Sequence, residues 1–324
     1  MTGKTRRLVL LLPAWAALGC DPAATAPPAA AAPDAPRTWA VLPWDEVAGR
    51  VVGREASSEG PASFALLPDG GALVLDQVHE RVLRLDAAGG LAGTVALPGR
   101  TFDDLAQHEG RAMLVLDRLV TTRLLALDLD GDLLAEVPLV GRGIERGGAV
   151  TALLPRPDGV WLEVHHRHSV RVLDRDLEPC DRQVVLGRPV ANARSLRAAL
   201  DERGGANVSL GGRVERAPER TVSLKAGAPV ERVVWFDADA AGRVHVVLHE
   251  VERSATPPWR ATHEQYLLVV LDEELRELGR AAVPFVSSEL EQSVEFRLGP
   301  DGRLWQLEFV EDGARLVDWG RRAP

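Results

Sequence analysis

The sequence predicts an all-β chain, a single β-propeller of six four-stranded blades closed by an N-terminal strand that completes the last blade. Three observations carry this. One unit of strand, turn, strand recurs along the chain. Its turn glycines stand at Gly70, Gly110, Gly159, Gly242 and Gly302. The last unit stops after three strands, while text like a fourth strand precedes the first complete unit.

The first unit sets the pattern. "FALLPDGGALVLD" (64–76) reads as strand, turn, strand, "RVLRLDAAGG" (81–90) as strand and turn, and "LAGTVALPG" (91–99) as a fourth strand. Each run is short, rich in Val and Leu, and bounded by Asp and Gly. The Pro-Asp-Gly turns supply the positive φ that a tight hairpin needs. The order returns in "LAQHEGRAMLVLD" (105–117) with "RLLALDLDGD" and "LLAEVPLVG". It returns again in "ALLPRPDGVWLEV" (152–164) with "VRVLDRDLEP" and "CDRQVVLG". "VVWFDADAAGRVHVVLHEV" (233–251) pairs with "YLLVVLDEEL" and "RELGRAAVPF", and "VEFRLGPDGRLWQLEFV" (294–310) with "ARLVDWG".

The turn glycines are 40, 49, 83 and 60 residues apart. The long gap holds "NVSLGGRVERAPERTVSLKAG" (207–227), which reads as part of a degenerate further unit. "VAGRVVGR" (47–54) resembles "LAGTVALP" (91–98), so residues 47–54 are expected to pair with the last strand, 314–319. Ring closure removes the two sheet edges that an open array leaves exposed. Four-stranded units of this length suit a propeller.

The N-terminus reads as an address. Lys4, Arg6 and Arg7 precede an apolar run from Leu8 to Leu18, which ends in Gly19 and Cys20. The run is too short to span the roughly 30 Å hydrocarbon core as a helix. A basic start, a short apolar core and small residues at a cut site describe an export signal. The end, "ALGC", resembles a bacterial lipobox, with Ala17 at the position where leucine is commoner. That resemblance implies a signal peptide at 1–19 and a lipidated Cys20. Residues 20–37 then form an Ala/Pro-rich tether, and 38–324 the propeller. The tether's composition cannot bury a core. Cys180 is left as a lone thiol, expected to be buried.

"GPASFALLPDGGALVLDQVHERVLRLDAAGGLAG" (60–93) resembles an NHL-type propeller repeat, with its turn glycine, Asp76 closing strand two and Arg81 opening strand three. The resemblance weakens after residue 187. Propellers of this kind include scaffolds, sensors and a few enzymes, so it implies fold and not activity.

Charge excludes one class of partner. The net charge is −9, and nucleic acid wants a basic surface. Six of the eight histidines, His79, His165, His166, His168, His249 and His263, fall in or beside links between strand two and strand three. Such links share one face of a propeller. With Trp259, these six form the candidate binding face. Two readings of them stay open: a metal site, whose ligand types are present without a ligand spacing such as His-Glu-x-x-His, or polar loops that use histidine. For Trp259 the alternatives are contact with a partner or sugar, and folding back to plug the blade. Asp76 with Arg81, and Asp117 with Arg123, are expected to be structural pairs, because a device repeated in successive blades serves packing.

No nucleophile elbow, P-loop or dinucleotide fingerprint is present. The function expected is a lipid-anchored envelope propeller that binds or scaffolds a protein, glycan or envelope component. It would be exported to the bacterial cell envelope and anchored to a membrane, a monomer with no cofactor and no nucleic-acid partner. The alternative is a metal-dependent hydrolase or lyase with its site at the central channel.

Overall fold

The computed structural model describes residues 36–52, 58–213 and 218–320. The signal peptide, Cys20, the tether up to residue 35 and parts of 47–54 and 207–227 lie outside them. Blade one comprises Ser63–Leu66, Ala72–Asp76, Arg81–Leu85 and Leu91–Ala96. Blade two comprises Asp104–His108, Ala112–Asp117, Arg123–Asp128 and Leu133–Pro138. Blade three is built from Val150–Arg156, Gly159–Val164, His168–Leu173 and Val184–Leu186. Blade four follows with Arg188–Pro189, Arg194–Leu200, Ala206–Gly212 and Arg220–Leu224. Blade five has Val230–Ala238, Val244–Arg253, Ala261–Leu271 and Glu277–Pro284. Blade six takes Phe296–Leu298, Leu304–Val310 and Gly313–Asp318 from the end of the chain and Arg37–Pro43 from its beginning. The chain is therefore a six-bladed β-propeller. The upper face carries the links between strands two and three and those that lead to the next blade. The lower face carries the other turns.

Burial explains the sequence pattern. Middle strands are covered on both sides by neighbouring blades, so Ala72–Asp76 and Ala112–Asp117 are buried at every position and read as unbroken apolar runs. The outer strand Leu91–Ala96 is mostly exposed and carries Thr and Gly. Apolar clusters fill the space between successive blades. Leu73, Leu75, Leu105 and Met113 join blades one and two, and Leu114, Leu124, Leu153 and Leu162 join two and three. The seam between blades three and four is thinner. Its buried cluster is Leu154, Trp161 and Val185, and the guanidinium groups of Arg171 and Arg213 lie 5.8 and 5.4 Å from the Trp161 ring. One cause is the inner strand of blade four, which is only two residues long. Gly159 shows why the turn glycines are glycine: at φ 133°, a Cβ would run into the Leu173 carbonyl.

The closure differs from the expected one in its residues. Arg37–Pro43 pairs antiparallel with Gly313–Asp318, from Arg37 opposite Asp318 to Pro43 opposite Gly313. Residues 47–52 of the expected stretch do not form that strand, and 53 and 54 lie outside the described residues. Gly49 N donates to Asp76 Oδ1 at 3.1 Å, and Arg81 Nη2 donates to the Val47 carbonyl at 2.7 Å, so this stretch is held by blade one. Arg37–Pro43 has the pattern that blade six requires: Ala40 and Leu42 face its core and Val41 faces out. Trp39 Nε1 donates to the Ala87 carbonyl in a lower-face turn, and Trp44 N to the Asp312 carbonyl in an upper-face link. The first strand thus enters at the lower face and leaves at the upper one.

Candidate functional site

Six inner strands surround the axis, and arginine–carboxylate pairs tie adjacent and next-but-one blades around it. Arg297 Nη2 of blade six donates to Asp104 Oδ1 of blade two at 2.5 Å. The same Asp104 accepts from Ser63 Oγ of blade one at 2.9 Å and from Leu153 N of blade three at 3.2 Å. Arg188 of blade four grips both oxygens of Glu163 at 2.7 and 2.9 Å, donates to the Phe236 carbonyl, and lies over the Phe236 ring. Burial pushes the Glu163 carboxyl up, but Arg188 and His166 more than offset this and hold it below the usual range. Arg156 Nη2 meets Asp237 Oδ1 at 2.6 Å. Each axial carboxylate thus has its own guanidinium, which a buried charge requires. Among the described residues no group of three His, Cys, Asp or Glu is arranged to hold a metal ion.

On the upper face, Arg118 Nε donates to Asp103 Oδ2 at 2.8 Å, and its Nη1 donates to the Val150 carbonyl of blade three at 3.3 Å. Burial pushes Asp103 up to about 6 despite Arg118, with the neighbouring Asp104 and Asp117 adding to the rise.

The histidines do not converge. His79 sits in blade one, His165, His166 and His168 in blade three, and His249 and His263 in blade five. Five of the six side chains have a polar partner. His79 Nδ1 lies 2.8 Å from Asp76 Oδ2, His168 Nε2 lies 2.9 Å from the Gly143 carbonyl, and His166 Nδ1 lies 3.3 Å from Glu163 Oε2. His165 and His166 form a tight left-handed turn, with φ 54° and 53°. His249 and His263 are in strands, not in a link, because the central strands of blade five are 10 and 11 residues long. These two strands rise into a hairpin whose tip, residues 254–260, carries Trp259. That indole is 58% exposed, so it does not plug the blade.

The expected Asp76–Arg81 pair is present at 2.9 Å, with Asp76 fully buried. The Asp117–Arg123 pair is not. Arg123 pairs with Glu136 at 3.1 Å, and Asp117 accepts from the Thr101 and Thr121 hydroxyls and from the Val120 and Thr121 amides. Burial raises the Asp117 carboxyl less than these donors lower it, to about 2. Cys180 is half-buried, and burial pushes its thiol up.

The upper face has a cleft between blades five and six, about 410 Å³ in volume. Arg232 and Tyr266 come from blade five. Phe285, Ser287 and Gln292 come from the link, and Glu295 from the approach to blade six. Tyr266 Oη donates to Glu295 Oε2 at 2.9 Å, and Gln306 Nε2 to Glu295 Oε1 at 2.8 Å. Arg232 Nη2 stands 3.4 Å from the Tyr266 hydroxyl. Burial raises the Glu295 carboxyl above its ordinary value. Burial, then the nearby Glu295 charge, raises the Tyr266 phenol. His249 stands behind this group, its ring 5.5 Å from Tyr266 and 5.0 Å from Phe285. The sequence pointed to His249 but not to Tyr266, Glu295, Arg232 or Phe285. The one signal was a glutamate, Glu295, directly before an inner strand.

No family model matches the chain, and neither does any curated protein. Solved structures do resemble it. The RRP9 WD40 repeats are 12% identical, covering 87% of this chain and 99% of that one, with a TM-score of 0.48. Virginiamycin B lyase from Staphylococcus aureus is 10% identical, covering 84% and 98%, at 0.44. Hydrazine synthase of Kuenenia stuttgartiensis is 12% identical over 79% of this chain and 76% of that one, with a TM-score of 0.53. At such identity the likeness concerns fold alone, and the chain stands as a six-bladed β-propeller.

Proposed function

We propose that this protein is a lipid-anchored binding module of the bacterial cell envelope. It is an NHL-type propeller that presents its upper face to a protein, glycan or envelope component. The carrying observation is the upper-face cleft between blades five and six, which has the size of a small-ligand site and lies in the blade that bears the exposed Trp259 hairpin. A raised carboxyl in a cleft is a feature that functional sites share. The anchor is Cys20, followed by the tether to residue 36, after which the strand Arg37–Pro43 takes over. That strand starts at the lower face. His79, His165, His166, His168, His249, His263 and Trp259 belong to the upper-face half of the molecule, and the protein acts as a monomer.

The test compares the full chain, in mild detergent, with Trp259→Ala and His166→Ala. Each is immobilised and exposed to solubilised envelope, and the captured components are identified by mass spectrometry. The parent is expected to enrich one component that both variants lose while keeping their melting temperature. Equal recovery by all three removes the upper face from the proposal.

A further inference from the structure

We propose that the cleft between blades five and six takes the end of a neutral glycan. This deepens the binding reading above and rests on it. The size comes first. At about 410 Å³ the cleft is in the lower part of the range for small-ligand pockets, roughly 300–1,000 Å³.

The lining decides the chemistry. Ser287, Ser288 and Gln292 offer groups that donate and accept, Arg232 offers donors, and Glu295 offers a carboxyl. A sugar hydroxyl also donates and accepts, so it can meet each of them. Charge argues against the alternatives. Glu295 and Glu308 line the cleft and oppose an anion, whereas Arg232 opposes a cation. The Glu308 charge is already matched by Arg315, whose Nε stands at 2.5 Å. A neutral polar ligand meets neither penalty.

One further detail fits a polyol. Phe285 is half-buried and braced, with Tyr266 edge-on at 5.3 Å and His249 at 5.0 Å. A braced ring is an apolar platform for the C–H face of a sugar, and its orientation costs little entropy to hold.

The test uses the full chain in mild detergent on a printed array of neutral, acidic and amino oligosaccharides, with calorimetric titration of the glycans retained. Neutral oligosaccharides are expected to be retained over charged ones. Arg232→Ala and Phe285→Ala should each weaken the titrated affinity at least tenfold, and Asp130→Ala, on the lower face, should leave it unchanged. Melting curves identify any variant that has lost its fold, and Arg232, being exposed, supplies the arm least subject to that loss. Retention of charged glycans alone overturns the inference. So does neutral binding that survives both substitutions. No glycan retention together with Trp259-dependent capture of an envelope protein overturns the glycan and leaves the binding module standing. Neither kind of capture removes both.

Discussion

Arg297 and Asp104 meet at 2.5 Å between inner strands of blades six and two, although 193 residues separate them in the chain. Blades six and two are not neighbours, so this pair bridges past blade one. Removing one partner strands the other charge in a buried site. Asp104→Ala is expected to cost about 3–5 kcal/mol. Replacing both, as Asp104→Leu with Arg297→Met, should cost less than either single change. Urea unfolding of the four proteins measures the coupling. A double variant that costs the sum of the two single changes would show that the two side chains act independently.

Closure gives a second expectation. Leu42 is buried in the cluster shared by blades six and one. Leu42→Ala should lose about 2–5 kcal/mol, and Val41→Ala, on the exposed side of the same strand, should change little. The two melting temperatures are compared with that of the parent. A chain in which both substitutions are silent does not use 37–43 as its closing strand.

Asp103 sets a pH dependence of known sign. Its folded pKa, about 6, is above the ordinary value of 3.8, so the fold favours the protonated form. The stability it contributes is full below 3.8 and is lost as pH rises through about 6. Asp117 and Asp239 run the other way. Both are lowered to about 2, and their contribution is present above 3.8 and lost as pH falls toward 2. Asp103→Asn should therefore flatten the decline in melting temperature between pH 4 and pH 7, and leave the acid limb below pH 3 unchanged. An unaltered slope between pH 4 and pH 7 would refute this assignment.

The anchor is tested by labelling. Cys20→Ser should abolish incorporation of a radiolabelled fatty acid into the chain in bacterial cells. Label retained by that variant places the modification elsewhere.

The repeats were legible because buried middle strands write themselves as Val/Leu runs between fixed turns, and the Pro-Asp-Gly turns mark their register. The closing strand was misplaced by several residues. Trp39–Leu42 alternates properly, but it abuts the Ala/Pro-rich tether, while 47–54 happens to repeat the text of an outer strand. The axial pairs were out of reach in principle. Arg297 and Asp104 are brought together only by the ring, and no local pattern distinguishes either from a surface charge. Spacing alone misjudged Asp117 and Arg123, which stand opposite each other in the ladder as Asp76 and Arg81 do. Threonines absent from blade one claim the Asp117 carboxylate instead. His249 and His263 were assigned to a link because blade five's central strands outrun the usual length.

The joining of both ends of the chain in blade six also has a mechanical meaning. Tension drawn through the segment before Arg37 and resisted at the upper face runs along the strand Arg37–Pro43. The hydrogen bonds to Gly313–Asp318 lie across that direction. They are loaded side by side in shear and must yield together, whereas a strand peeled from one end surrenders its bonds one at a time.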